Sequence, residues 1–301
     1  MRVFVTGASG HIASAVIPEL VTNGHQVRGL ARSDAAAAAV AALGADVVRG
    51  DLDDLDALAT ASAEADGVIH LAFKHDAFAT GDFVGAVTSD LAAVRAMGET
   101  LRGTGKAFVT TGGTLMLAST GYSDRAGTED DRIDGGPRVD TENYALSLAV
   151  HGVRASVIRL APLIHSDLDY HGFTAALIGF ARDTGVASFV GDGENRWPAA
   201  NTHDIGVLYR RALESAAPGT VCHGADDLGI PFRVIAETIA DALKVRAVSV
   251  TPEEAPRYLG FLAGFAHLDN PVSNDATRQA LGWEPTHPRW VEDVQSGHYL
   301  A

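Results

Sequence analysis

Apolar residues in the first half of the chain follow two alternating rhythms. Short apolar runs at residues 3–6, 26–31, 46–49, 68–72 and 107–111 predict strands. Between them, residues 12–21, 34–43, 53–62 and 83–101 carry apolar side chains at helical spacing, and an acidic first turn suits the third of these helices. Short strands separated by helices predict an α/β fold, a doubly wound parallel sheet covered on both faces. The rhythm loosens after residue 112. Residues 112–138 are rich in Gly, Ser, Thr and Asp and read as irregular surface chain. A helix at 141–150 and a strand at 155–160 follow. Beyond Pro162 the elements alternate less regularly, as expected of a smaller region packed over the carboxyl ends of the strands. There, Trp197-Pro198 reads as closing a turn, and residues 258–265 as a core or cleft-lining helix.

Composition narrows the classes of function. Hydrophobic residues make up 47% of the 301 residues, which suffices for a packed core and excludes a mainly disordered chain. Lys and Arg total 23 against 38 for Asp and Glu, a net charge of −15, and no basic patch is gathered. No nucleic-acid partner is therefore expected. The single cysteine, Cys222, makes no internal disulfide or cysteine-rich zinc site, which fits a reducing compartment. Its apolar surroundings predict a buried, inert thiol. No stretch approaches the ~20 apolar residues of a membrane helix. With no targeting segment visible, the expectation is a soluble, cytoplasmic chain without a membrane partner.

The most specific local signal is Thr6-Gly7-Ala8-Ser9-Gly10-His11-Ile12-Ala13, which leaves the first strand and opens the first helix. Gly7 permits the tight turn, and Gly10 lets the backbone approach a pyrophosphate. The amides from Ser9 to Ile12, including that of His11, then face the anion with the helix dipole behind them. Ala13 takes the place of a third glycine at the helix–strand contact. The second strand ends Leu30-Ala31-Arg32-Ser33, where an NAD site usually carries an acid. Arg32 and Ser33 suit a 2′-phosphate, so NADP is expected, while Asp34 keeps NAD open. Asp51, in Gly50-Asp51-Leu52, reads either as an acceptor for the adenine amine or as a helix start.

These features, together with His70-Leu71-Ala72, Arg159-Leu160-Ala161-Pro162, Gly191-Asp192-Gly193, His203-Asp204-Ile205 and Leu281-Gly282-Trp283-Glu284-Pro285, resemble the extended short-chain dehydrogenase/reductases. The resemblance runs through nearly the whole chain. It implies a Rossmann region at 1–162, completed by segments around 195–225, and an interwoven, mainly substrate-binding region at 163–301. It also implies that Leu52, Leu71, Ala72, Phe73, Thr111 and Pro162 border the cofactor. In many relatives the helices at 83–101 and 141–150 pair across a dimer interface, so a homodimer is an expectation by resemblance.

The family's catalytic pattern is a Ser/Thr after the fifth strand, a Tyr, and a Lys four residues beyond it. Here Tyr144 is followed four residues on by Leu148. Registering the helix by Glu142 instead puts Arg138 at the lysine position and Asp134 at that of the tyrosine. Neither register contains the pair, and Tyr144 reads as a packing residue. Gly113 stands at the serine position, with Thr114 one residue further. Thr114, His75 and His165 are thus the catalytic candidates, the histidines as general acids. Tyr122 has less support. The run His165, Asp167, Asp169, His171 is a weak metal pattern, and no metal is expected. The expected function is hydride transfer between an NADP(H) cofactor and a small carbonyl or alcohol substrate, with a non-standard proton donor. A catalytically silent NADP-binding sensor and a sugar-nucleotide-type epimerase or dehydratase are the alternatives.

Overall fold

The computed structural model describes residues 1–75, 82–120 and 125–300. In chain order its strands are β1 (Arg2–Thr6), β2 (Gln26–Ala31), β3 (Asp46–Arg49), β4 (Gly67–His70), β5 (Ala107–Gly113), β6 (Arg154–Leu160), β7 (Leu163–His165), β8 (Val186–Val190), β9 (Arg196–Asn201), β10 (Thr220–Gly224), β11 (Asp227–Pro231) and β12 (Arg246–Val250). Seven of them form one sheet in the order β10-β6-β5-β4-β1-β2-β3. All of its pairings are parallel.

Alternation along the strands sorts the core into two layers. Val3, Val5, Ile69 and Val109 pack with helices Ala13–Thr22 and Thr202–Ser215 on one face. Phe4, Val68 and Phe108 pack with helices Leu55–Glu64 and Phe83–Leu101 on the other. β4 is buried along its whole length, as a central parallel strand should be. The sequence-derived bounds for β2, β3 and the helix Phe83–Leu101 coincide with the structure. The helix expected at 53–62 starts at Leu55, because Asp54 accepts the Ala57 amide and caps it there.

The smaller region holds a three-stranded sheet, β11-β9-β7, and a β12-β8 pair. Its own core gathers around Trp197, Phe232, Ile235 and Trp290. The chain then returns: Thr202–Ser215 packs on the first helix, and β10 extends the large sheet beside β6. The Trp283 indole donates to the Asp204 carbonyl at 2.9 Å, while the Asp204 carboxylate accepts the amides of Thr286 and His287, each at 3.0 Å. The late segment around Trp283 is thereby locked onto the helix that follows β9.

Two expectations are corrected here. Trp197-Pro198 does not close a turn but lies inside β9, with Trp197 fully buried. The β9–β11 register shifts opposite this point, between Asp227 and Ile230, so a residue without an N–H is accommodated. Residues 258–265 are not one helix. A helix Ala255–Leu259 stops at Gly260, whose φ of 50° is left-handed, and a 3-10 turn Gly260–Leu262 follows. The Phe180 ring stands where a Cβ at Gly260 would be, 2.5 Å from its Cζ, so both the backbone and the packing call for glycine.

Candidate functional site

The strand order reverses between β1 and β4, and the crevice beyond the carboxyl ends of these strands is where such sheets bind ligands. Gly7 ends β1 with φ 64°, and a Cβ there would lie 2.7 Å from the Ala72 nitrogen. Only glycine allows this turn to pass so near β4. The Gly10 amide closes the turn on the Gly7 carbonyl at 3.0 Å. Among the described residues, the amides of Ser9, His11 and Ile12 have no acceptor. Unpaired donors at the start of the ten-residue helix Ala13–Thr22 fit an anion such as a pyrophosphate.

A buried chain of hydrogen bonds fastens the two strand ends together. The Ala72 amide donates to Thr6 Oγ1 at 3.3 Å. Thr6 Oγ1 lies 2.8 Å from His70 Nδ1, and His70 Nε2 lies 3.2 Å from Asp90 Oδ1. Burial alone would raise the Asp90 carboxyl. The hydrogen bond from His70 and the charge of Arg138 outweigh it and hold the group below the usual carboxylate range. An ionised Asp90 makes His70 Nε2 the donor, leaving Nδ1 to accept from Thr6.

At the second strand's end Arg32 is exposed, and Ser33 Oγ accepts the Ala36 amide at 3.2 Å, capping the next helix. Asp34 accepts from the Arg49 guanidinium at 2.6 Å. Asp51 Oδ1 takes the amides of Asp53 and Asp54 at 2.8 and 3.2 Å, the helix-start geometry. Leu52 is buried against Phe4 and Leu30. Leu71, Ala72 and Phe73 continue from β4, half-buried, and Pro162 is half-buried after β6.

The third part of the site lies at the ends of β4 and β5. Arg138 adopts φ 63°, uncommon for a side-chain-bearing residue, just before helix Val139–Ser147. Its guanidinium donates to the Thr111 carbonyl at 3.1 Å and stacks over the Phe73 ring, 4.0 Å from the centroid. His75, exposed, meets Phe73 edge-on with ring centroids 5.2 Å apart. The Thr111 hydroxyl donates to the His70 carbonyl at 2.7 Å and accepts from Tyr209 at 2.7 Å, so it is committed within the wall. Thr114 is fully buried and accepts from Asn270 Nδ2 at 2.9 Å.

His165 belongs to β7. It is fully buried, with Nδ1 on Asp293 Oδ2 at 2.9 Å, and its Nε2 has no partner among the described residues. Tyr144 donates to Glu99 at 2.8 Å on the helix Phe83–Leu101; burial and that bond push its hydroxyl up to about 12, in keeping with a packing residue. Asp134 is exposed, and Tyr122 lies outside the described residues. Cys222 is buried, which pushes its thiol up to about 12. Among the described residues, no group of three or more His, Cys, Asp or Glu is placed to hold a metal ion. Nor is any described helix long and apolar enough to cross a membrane.

Three residues complete the site beyond the sequence candidates. Arg138 is at the lysine spacing from Glu142, a signal present in the sequence but outweighed by the missing tyrosine. Asn270 reaches Thr114 across 156 positions and has no local signal. Tyr209 lies on a helix of the small-to-large crossover, and only the folded chain shows its bond to Thr111.

Residues 7–112 match a family model described as NAD(P)H-binding. The chain is 41% identical over 302 residues to the protein C2A9.02 of Schizosaccharomyces pombe, covering 100% of both. It is 28% identical over 233 residues to a 2-alkyl-3-oxoalkanoate reductase of Stenotrophomonas maltophilia, covering 74% of this chain and 68% of the reductase. The fold is similar to that of a dTDP-glucose 4,6-dehydratase from Bacillus anthracis solved in complex with NAD. The TM-score is 0.76 at 14% identity, over 99% of this chain and 95% of that one.

Proposed function

The chain belongs to the extended short-chain dehydrogenase/reductases, and from that premise we propose that it is an NADPH-dependent reductase of a small carbonyl compound. The observation that carries the reading is the Arg138 guanidinium. It stands beside the strand-end crevice, fixed by the Thr111 carbonyl and the Phe73 ring, so a cation is held at the position that registering the helix by Glu142 matches to the family's lysine.

The unpaired amides of Ser9, His11 and Ile12 would hold the pyrophosphate. Arg32 and Ser33 suit a 2′-phosphate, and the nearby acid Asp34 already faces the Arg49 guanidinium. Arg138 would take the ribose hydroxyls of the nicotinamide half. A nicotinamide cofactor held there would supply hydride to a carbonyl carbon. Charge then develops on the carbonyl oxygen and must be met by the protein. Thr114 Oγ1 already accepts from Asn270, so its own O–H remains to be donated. His75, exposed beside Phe73, is the general acid that completes the alcohol.

The direct test is NADPH consumption by the purified protein with 2-alkyl-3-oxoalkanoates, simple aldehydes and ketones. Substrate-dependent oxidation is expected, and His75→Gln should lower kcat by about 100-fold. Tight NADPH binding with no turnover across the panel would overturn the reductase reading. That result would support a cofactor-binding regulator instead, a reading favoured by one observation: exposed Asp134 stands at the position of the family's tyrosine.

A further inference from the structure

The hydrogen bonds around His11 determine where its proton sits. A carbonyl oxygen only accepts, so the Thr202 hydroxyl hydrogen is committed to the His165 carbonyl at 3.1 Å. His11 Nε2 lies 2.7 Å from the same hydroxyl oxygen and must therefore be the donor. Its other nitrogen, Nδ1, faces Asp169 Oδ1 at 3.6 Å. Asp169 is itself a committed acceptor: Oδ1 takes the Gly172 amide at 2.6 Å, and Oδ2 takes the Tyr299 hydroxyl at 2.9 Å. In a neutral ring, two lone pairs would confront each other with no proton between them. A second proton on Nδ1 turns that repulsion into an ion pair.

Opposing forces act on the ring in the free protein. Burial disfavours the charged form and the nearby His165 and His171 add to that, while Asp169 favours it; the net direction is downward. The His11 side chain is only 13% exposed. Its own amide, however, is one of the unpaired donors at the head of the helix Ala13–Thr22. An anion drawn to those amides brings further negative charge to the same residue.

We propose that His11 is a proton-coupled binding residue for the cofactor's pyrophosphate. As the diphosphate binds, Nδ1 takes a proton from solvent and a new N–H bond forms. The resulting imidazolium would pair through Nδ1–H with Asp169, with Nε2–H still on Thr202. The inference rests on the cofactor reading of this crevice. Its sign is fixed: binding takes up a proton, so affinity falls as pH rises above the ring's free value.

The test is calorimetry of NADPH binding at about pH 7.5, in buffers of low and high ionisation enthalpy, for the wild type and His11→Gln. Comparing the two proteins cancels the titration of the 2′-phosphate itself. The wild type should take up roughly half a proton more than the variant. Its affinity should weaken by up to about tenfold per pH unit above neutrality, where that of the variant stays flatter. Equal proton counts in both proteins would overturn the inference and leave the cofactor reading intact. Absence of binding by both NADPH and NADH to the wild type would overturn the cofactor reading and this inference with it. Should His11→Gln fail to fold, the ring carbon and nitrogen shifts of His11 in the wild type decide. A change to the imidazolium pattern on saturation supports the proposal, and a neutral ring overturns it.

Discussion

Arg138 is the cation on which the proposed cofactor site depends. It rests on Phe73 and on the Thr111 carbonyl, so shape as well as charge matters. Arg138→Met should raise KM for NADPH about tenfold or more, whereas Arg138→Lys should recover part of the loss; steady-state kinetics with varied cofactor checks both. At Arg32 the expectation is one of selectivity. Arg32→Ala should weaken NADPH binding by about tenfold and leave NADH binding nearly unchanged, as read by fluorescence titration. Gly7 tests the crevice itself. A Cβ only 2.7 Å from the Ala72 nitrogen, on a backbone at φ 64°, should make Gly7→Ala both less stable and unable to bind cofactor. The glycine turn was legible because its chemistry is local, contained in eight consecutive residues ending at Ala13. Thr114 was legible as a hydroxyl near the family's serine, but its donor Asn270 was not, since nothing around residue 270 marks it as reaching a strand end 156 positions away.

Among the elements, the helix Val139–Ser147 is fixed to β6 by one buried ion pair. Arg159 donates from Nε to both Glu142 oxygens at 3.1 Å and from a terminal nitrogen at 2.5 Å. The same guanidinium donates to the Asp131 carbonyl at 2.8 Å, tying the loop before the helix to the sheet. Removing one partner leaves a charge with no compensation in a dry place, which costs about 3–5 kcal/mol. Glu142→Leu should therefore lower the urea midpoint markedly, and the double variant with Arg159→Met should regain part of the loss. The pair also bears on the proposed site, because Arg138 lies one helical turn before Glu142. In the sequence, registering this helix by Glu142 puts Arg138 at the family's lysine position. The inner strands of the large sheet were equally readable, since a strand buried on both faces must be almost continuously apolar. The small region was harder to read. β9 takes its partners from β7 and β11 on either side in the chain, and its proline is tolerated only because of the irregular register opposite it. At Gly260, helical spacing of apolar residues continued past the point where Phe180 forbids a side chain.

Across the whole molecule, the large sheet, the loop before helix Val139–Ser147 and the late segment around residues 273–277 converge on His223 in β10. Its Nδ1 donates to the Ser273 carbonyl at 2.8 Å, its amide donates to Thr277 Oγ1 at 2.7 Å, and its Nε2 lies 3.4 Å from the Arg159 guanidinium. Thr277 in turn donates from its amide and hydroxyl to buried Glu129, each at 2.7 Å. Nδ1 must carry the proton, so Nε2 offers a lone pair toward Arg159, and the ring is neutral. Burial chiefly, with the Arg159 charge, lowers the ring to about 4 despite the opposing pull of Glu129. In the unfolded chain the same histidine takes up its proton near pH 6.5. Between these values the unfolded state binds more protons than the folded one, so stability is full above pH ~6.5 and declines as pH falls toward 4. The decline assigned to this one residue is on the order of 3 kcal/mol. His223→Asn can keep a donor for Ser273 and an acceptor for Arg159 while having nothing to titrate. Thermal midpoints measured from pH 7 down to about 4 should therefore fall less steeply for the variant than for the wild type. Parallel curves would show that the acid sensitivity of the fold resides elsewhere, in carboxylates that the net charge of −15 supplies in excess.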